Sequence, residues 1–293
     1  MAMHNPPSPG EPITGSCLCG TVRYELRGPF QHMAHCHCSI CRKHHGAPFA
    51  TYLAAPLDSF HWLAGEDHID RYVSSPGWYR PFCRTCGSVL PTLLPEQRAA
   101  VVPAGNLDGS LGVKPEMHLF VGSRAPWYAI SDTLPQHAAY APEFGAAPVS
   151  APVPQVASPG CTAGSCACGQ VAFEYAGAPL RMLNCHCSRC RKGRSAAHTT
   201  NIFVPLDQFR FLRGEALVRD FHLPGARYFG VAFCSACGGD VPRRSVERKV
   251  AVIPAGTLDT DPGMRATAHI FVGSRADWFD ITDDLPQFAG MPT

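Results

Sequence analysis

Seven cysteines occur twice along this chain in the same order and nearly the same spacing, and that duplication constrains the fold more than any other feature. Cys17, Cys19, Cys36, Cys38, Cys41, Cys83 and Cys86 are answered by Cys166, Cys168, Cys185, Cys187, Cys190, Cys234 and Cys237. Fourteen of the fifteen cysteines fit the scheme, leaving Cys161 outside it. The repeat extends beyond the thiols. SCLCGTVRYEL returns as SCACGQVAFEY, CHCSICRK as CHCSRCRK, PFCRTCGS as AFCSACGG, VVPAGNLD as VIPAGTLD, and FVGSRAPW as FVGSRADW. The offset is 149 residues for the first two pairs and 151 for the last three. Chance similarity would not keep order and spacing together over five separated motifs, so the chain reads as one domain duplicated in tandem.

The division follows from composition. A proline-rich lead-in spans residues 1–12, the first domain 13–137, a Pro/Ala-rich linker with almost no charge 138–160, and the second domain 161–293. Within each copy the pattern is one of short strands. GTVRYEL alternates polar and apolar residues, and HIDRYV, SVLPTLL, RAAVVPAG and MHLFVGS are further strands bounded by Gly, Pro, Asp or Ser. Helical character is strongest over Ser39–His45 and its counterpart Ser188–Arg194. Helices long enough to alternate with strands are missing, so a mainly β domain with a short helical turn is predicted.

Fifteen cysteines call for metal or for disulfides, and compartment decides between them. The N-terminal MAMHNPPSPGEP has neither a basic nor an apolar signal region, and no run of about 18 apolar residues could span a bilayer. A reducing, cytoplasmic setting is therefore expected, and with it thiolate ligands for zinc. The CxxC turns before Gly87 and Gly238 have the spacing of a zinc-ribbon knuckle, and each needs a second pair to complete four ligands. Either the CxC pair or two thiols of the CxCxxC cluster could supply it. Seven ligands divide as four plus three: a closed structural site, and a second site that either keeps a position open or is completed by a histidine. His35, His37, His44 and His45 lie near the first CxCxxC, and His186 and His198 near the second.

Arg42 and Lys43, with Arg191 and Lys192, directly follow the last thiol of each cluster. They could steady thiolates or bind the carboxylates of a ligand, or they could be solvated charges at a helix end. Arg124 and Arg275 precede Trp127 and Trp278, where core packing outweighs a pocket lining, and Asp108 and Asp259 are expected to close turns. With 25 basic and 23 acidic residues the net charge is +2, which offers no broad field for nucleic acid.

The order CxC, CxCxxCRK, FCxxCG, aGxLD and a final W-x-x-I-x-D-x-L-P-Q resembles the glutathione-dependent formaldehyde-activating (GFA) enzymes, the family that includes centromere protein V. The resemblance covers nearly all of both copies. It implies a mainly β, Mss4-like fold in two tandem zinc-binding domains. It also implies a structural zinc on Cys17, Cys19, Cys83 and Cys86, and again on Cys166, Cys168, Cys234 and Cys237. A second, catalytic zinc would rest on Cys36, Cys38 and Cys41, and on Cys185, Cys187 and Cys190, giving up to four Zn²⁺ per chain. The implied chemistry is that of a carbon–sulfur lyase joining formaldehyde to glutathione, the co-substrate that the resemblance implies, to give S-hydroxymethylglutathione, or the reverse, or acting on a related small thiol. The alternative is a non-catalytic zinc module that binds a protein or nucleic acid, supported by the local basic runs RKHH and RCRKGR. Packing of the copies about a pseudo-twofold axis is expected.

Overall fold

The computed structural model describes residues 11–144, 149 and 151–291. Most of the lead-in expected over residues 1–12, and residues 145–148 and 150 of the expected linker, lie outside the described residues. The first copy runs β1 (Ile13–Ser16), β2 (Arg23–Leu26), β3 (His32–Cys36), α1 (Ser39–His45), β4 (Ala50–Pro56), β5 (Phe60–Ala64), β6 (Ile69–Ser75), β7 (Trp78–Cys83), β8 (Thr92–Leu94), β9 (Ala99–Pro103) and β10 (Met117–Leu119). The second repeats it as β11 (Cys161–Ser165), β12 (Ala172–Ala176), β13 (Arg181–Cys185), α2 (Ser188–Arg194), β14 (Thr199–Pro205), β15 (Phe209–Arg213), β16 (Val218–His222), β17 (Gly230–Cys234), β18 (Arg243–Ser245), β19 (Val250–Pro254) and β20 (His269–Ile270), with β21 (Gln287–Phe288) added at its end.

The protein is mainly β, in two similar sheet-rich halves. Each half has a three-stranded sheet, β1-β2-β5 or β11-β12-β15, and a hairpin, β6-β7 or β16-β17. The largest sheet has the order β10-β3-β4-β9-β8 in the first half and β18-β19-β14-β13-β20-β21 in the second. Its pairings are antiparallel except at β10–β3, β13–β20 and β20–β21. Strand β2 shows why alternation was informative: Tyr24 and Leu26 face the core and Arg23 faces solvent. The two residues by which the second copy is longer fall in the hairpin turn. Pro76 and Gly77 join β6 to β7, whereas residues 223–229 join β16 to β17.

At seven residues, α1 and α2 are too short to persist on propensity and are held by their ends. The sulfur of Cys38 accepts the Cys41 N–H at 3.3 Å, and Gly46 closes the helix in the left-handed region at φ 56°. Cys187 and Cys190 repeat the N-cap, while Ser195 takes the left-handed position at φ 54°.

The halves are interlocked. Trp127, from the end of the first copy, is buried in a core with Phe173, Tyr175, Met182 and Ile202 of the second. Trp278 is buried among Tyr24, Leu26, Phe49 and Leu53 of the first. Both tryptophans are thus core residues, each in the opposite copy. The contacts between copies are reciprocal, as an isologous interface requires. A Cβ on Gly105 would come within 2.2 Å of the Ala196 nitrogen, and one on Gly256 within 2.4 Å of the Ala47 nitrogen. Because backbone cannot give way as a flexible side chain can, Gly256→Ala is expected to destabilise the protein by at least ~1–3 kcal/mol, the usual range for overpacking. Chemical denaturation would read this directly, and an unchanged midpoint would show that the close approach is absent in solution.

Candidate metal centres

The sheets sort the fourteen repeated thiols into four groups. Cys17 and Cys19 follow β1, Cys83 ends β7, and Cys86 stands on the tight turn beyond it. Their four sulfurs lie within 4.8 Å of one another, as do those of Cys166, Cys168, Cys234 and Cys237. The CxC pair therefore partners the knuckle, which local spacing had left open. Gly87 and Gly238 make that turn possible, with φ of 74° and 70° and N–H groups bonding back to the carbonyls of Cys83 and Cys234 at 2.8 Å. The remaining thiols form two triplets with the same 4.8 Å limit: Cys36, Cys38 and Cys41, and Cys185, Cys187 and Cys190.

The donor sets fit zinc. Tetrahedral coordination with bonds of about 2.3 Å separates sulfurs by roughly 3.8 Å. The Cys17–Cys19 and Cys19–Cys83 sulfurs are 3.4 and 3.8 Å apart, and Cys166–Cys168 and Cys168–Cys234 are 3.5 and 4.0 Å apart. A disulfide would need about 2.05 Å. Backbone N–H groups aim at the sulfurs, from Val22 to Cys17, Val171 to Cys166, Cys41 to Cys38 and Cys190 to Cys187, all at 3.3 Å. Such donors favour thiolates.

The histidines near the triplets have other partners. His35 bonds Thr51 Oγ1 at 2.8 Å, and His44 Nε2 donates to the carbonyl of Cys237 at 2.8 Å. His45 bridges the carbonyl of Arg194 and the Tyr52 hydroxyl, both at 2.8 Å. Burial holds His44 at about 3 and His45 at about 4, so both are neutral at physiological pH. His198 is likewise held at about 3 by burial, packed against Phe49 and Phe279.

His37 and His186, between the first two thiols of each triplet, open a duplicated relay that the sequence analysis did not identify. His37 Nε2 meets His118 Nδ1 at 2.8 Å, and His118 Nε2 meets both carboxylate oxygens of Asp132 at 3.0 Å. His186, His269 and Asp283 repeat it at 2.8 Å and at 3.0 and 3.1 Å. The carboxylate accepts from Nε2, which leaves Nδ1 of the second histidine to accept from the first. This sets the orientation of the ring wedged between two thiols. The signal was present: both histidines and both aspartates recur at the repeat offset, the aspartates within the W-x-x-I-x-D-x-L-P-Q motif.

For Lys43, the expectation that it binds a ligand or sits in solvent does not hold. Lys43 is buried across the interface, with Nζ 2.7 Å from Asp259 Oδ1, 2.7 Å from Ser165 Oγ and 2.9 Å from the Ser165 carbonyl. These take all three of its protons. Burial lowers its pKa and Asp259 opposes that shift. Lys192 makes the reciprocal reach to Asp108 Oδ1 at 2.8 Å and Ser16 Oγ at 2.6 Å, nearer the surface. Asp108 and Asp259 thus pair with cations of the other copy. Arg42 also turns inward, to the carbonyls of Ser123 at 3.2 Å and Gly256 at 3.5 Å. Arg191 is half-buried, and burial lowers its pKa against the pull of Asp108.

The triplets differ in their surroundings. At the first, the Arg80 guanidinium lies 3.5 Å from Cys41 Sγ and 3.1 Å from the Tyr52 hydroxyl, while Tyr52, Phe120 and Val149 pack against the cluster of Cys38, Ile40, Cys41 and Ala50. The second opens into a cavity of about 640 Å³. No helix among the described residues is long and apolar enough to cross a membrane.

The family described as "Glutathione-dependent formaldehyde-activating enzyme" matches the chain twice, over residues 12–123 and 161–274. A protein of Halomonas elongata, named as a proposed glutathione-dependent formaldehyde-activating enzyme, is 34% identical over 128 residues, covering 40% of this chain and 80% of its own length. An uncharacterized lyase of Schizosaccharomyces pombe is 28% identical over 76 residues, 26% of this chain and 53% of that protein. A crystal structure of a Rhodobacter sphaeroides protein is 28% identical, covers 35% of this chain and 91% of its own, and superposes with a TM-score of 0.29.

Proposed function

The chain belongs to the glutathione-dependent formaldehyde-activating enzyme family, and from that premise we propose that it is a zinc-dependent carbon–sulfur lyase. Its substrate is a glutathione–aldehyde adduct, S-hydroxymethylglutathione being formed or broken, or a related small thiol adduct. The observation that carries this reading is the pairing in each copy of a complete four-thiol group with a separate triplet. A four-thiolate site is closed and serves the fold, whereas three protein ligands leave a position for chemistry. Zinc held there supplies a Lewis acid that stabilises a thiolate or polarises an aldehyde oxygen.

The reaction needs little else. In the forward direction a carbon–sulfur bond forms between the thiol sulfur and the carbonyl carbon, and the proton lost from sulfur ends on the carbonyl oxygen. Cys36, Cys38 and Cys41, or Cys185, Cys187 and Cys190, would hold the ion. The capping N–H groups of Cys41 and Cys190 steady the thiolates, and the His37–His118–Asp132 and His186–His269–Asp283 chains orient the loop that carries them.

Of the basic runs behind the binding-module alternative, Arg42, Lys43, His44, His45 and Arg194 are buried and Arg191 and Lys192 half-buried, which leaves Arg189 exposed and a small charged surface for a nucleic acid. The lyase reading is tested by the rate at which formaldehyde and glutathione equilibrate with fully metallated protein, after subtracting the uncatalysed rate. Acceleration that disappears when all six triplet cysteines are changed to serine is expected. A rate no faster than background would remove the proposal.

A further inference from the structure

The two triplets have diverged, and the divergence falls on the groups a ligand would meet. The cavity at Cys185, Cys187 and Cys190 is also lined by Arg189, Arg194, Arg227, Arg243 and Arg248, with no acidic residue in its wall. Acids do touch two of the five: Asp240 contacts the buried Arg194, and Glu247 lies 3.9 Å from Arg227. Arg189, Arg227 and Arg248 are exposed, and the half-buried Arg243 keeps its Nε without a partner while donating through Nη2 to the Tyr228 carbonyl at 3.2 Å. Tyr228 and Phe203 provide an apolar wall, with Arg248 lying over both rings. Arg227 and Tyr228 stand in the turn of the hairpin that is two residues longer in this copy.

At the repeat offsets the first copy has Ile40, His45, Thr92 and Gln97 where the second has Arg189, Arg194, Arg243 and Arg248. It has Tyr52 and Arg80 where the second has Asn201 and Val231. The smaller Asn201 and Val231 line the cavity, whereas Tyr52 and Arg80 stand against Cys41 and fill the equivalent space. Burial of the last two thiols differs in the same sense, Cys38 and Cys41 being 4% and 2% exposed and Cys187 and Cys190 half-buried, while the first thiol runs the other way, with Cys36 half-buried and Cys185 buried.

We propose that the second copy alone receives a ligand, and that the ligand is a polyanionic thiol whose sulfur meets the Cys185–Cys190 triplet while two or more carboxylate or phosphate groups are held by Arg227, Arg243 and Arg248. This rests on the reading of the triplets as metal centres for thiol chemistry. The physical case is charge and shape together. A cavity of about 640 Å³ falls within the ~300–1,000 Å³ usual for small-molecule sites. Guanidinium groups matched to carboxylate or phosphate oxygens recognise polyanions by paired, charge-assisted hydrogen bonds. The first triplet already has the Arg80 cation and the Tyr52 hydroxyl beside its thiols, where a ligand would have to enter.

Titration calorimetry on the zinc-loaded full chain tests this with three thiols: glutathione for carboxylates, coenzyme A for phosphates, and cysteamine with neither. Glutathione or coenzyme A is expected to bind at one molecule per chain, more weakly at high salt, and cysteamine far more weakly than either. The better of the first two identifies the anion. Arg227→Ala/Arg243→Thr/Arg248→Gln should weaken binding at least about tenfold, in line with the loss of one or more charge-assisted bonds. Arg227→Ala/Arg248→Gln, which alters two exposed side chains, gives the same direction should the triple variant not fold. Arg80→Val should leave the affinity unchanged. Two molecules per chain, equal binding of cysteamine, no binding of either anionic thiol, or indifference to the arginine substitutions would each overturn the proposal. Because calorimetry reads binding and not turnover, absence of lyase activity with this binding intact would refute the proposed reaction and leave the pocket standing.

Discussion

Elemental analysis of protein purified without added metal or chelator should return close to four zinc ions per chain. Changing Cys36, Cys38, Cys41, Cys185, Cys187 and Cys190 to serine should lower the count to two in a protein that remains folded. The two kinds of site differ in what they hold together. Cys17 and Cys19 follow one strand while Cys83 and Cys86 belong to the end of another, so an ion shared by these four ties together segments more than sixty residues apart. Structural zinc of this kind contributes roughly 10–16 kcal/mol of apparent binding energy that is also folding energy. That is comparable to the whole ~5–15 kcal/mol stability of an ordinary domain. Stripping zinc with a strong chelator should therefore unfold the chain, whereas emptying the triplets, whose ligands lie within six residues of one another, should not. Circular dichroism followed during chelation separates these outcomes. A protein that keeps its fold with no zinc bound would show that the four-thiol groups are not structural metal sites.

Lys43→Met is expected to destabilise the protein by about 3–5 kcal/mol, while Lys192→Met should cost about 1 kcal/mol or less. The two lysines are equivalent in the repeat and each meets an aspartate and a serine hydroxyl of the other copy, but Lys43 also bonds the Ser165 carbonyl and their surroundings differ. The Lys43 and Asp259 side chains are 2% and 3% exposed, against 20% and 47% for Lys192 and Asp108. Removing Lys43 leaves the Asp259 carboxylate buried without its counter-ion, whereas Asp108 is solvated already. The penalty belongs mostly to the orphaned charge, so Lys43→Met/Asp259→Leu should recover much of the loss. A double-mutant cycle by denaturant unfolding measures it. Equal effects at both lysines would show that the interface is as wet on one side as on the other.

Much of this protein was legible in its residues, because some of its features are local. The duplication, the position of every repeated thiol and the strand character of RYEL follow from order and alternation. The helical turns at Ser39–His45 and Ser188–Arg194 follow from the short segment after each CxC. Partition of the seven thiols was different. Spacing defines pairs, but which pairs share an ion depends on how β1 and β7 lie relative to each other, and that contact spans 64 residues between Cys19 and Cys83. The tertiary structure also decided the fate of the charges after each triplet. Lys43 and Lys192 look like surface residues in any local reading, because their partners lie in the other copy.

The exchange of Trp127 and Trp278, the His–His–Asp relays, and the contrast between a triplet covered by Arg80 and Tyr52 and one facing five arginines are of the same kind. The sequence by itself determined what each copy is made of, since thiol spacing and strand alternation are properties of neighbouring residues. Only the tertiary structure decided which groups meet, since burial, counter-charge and open space are set by residues far apart in the chain.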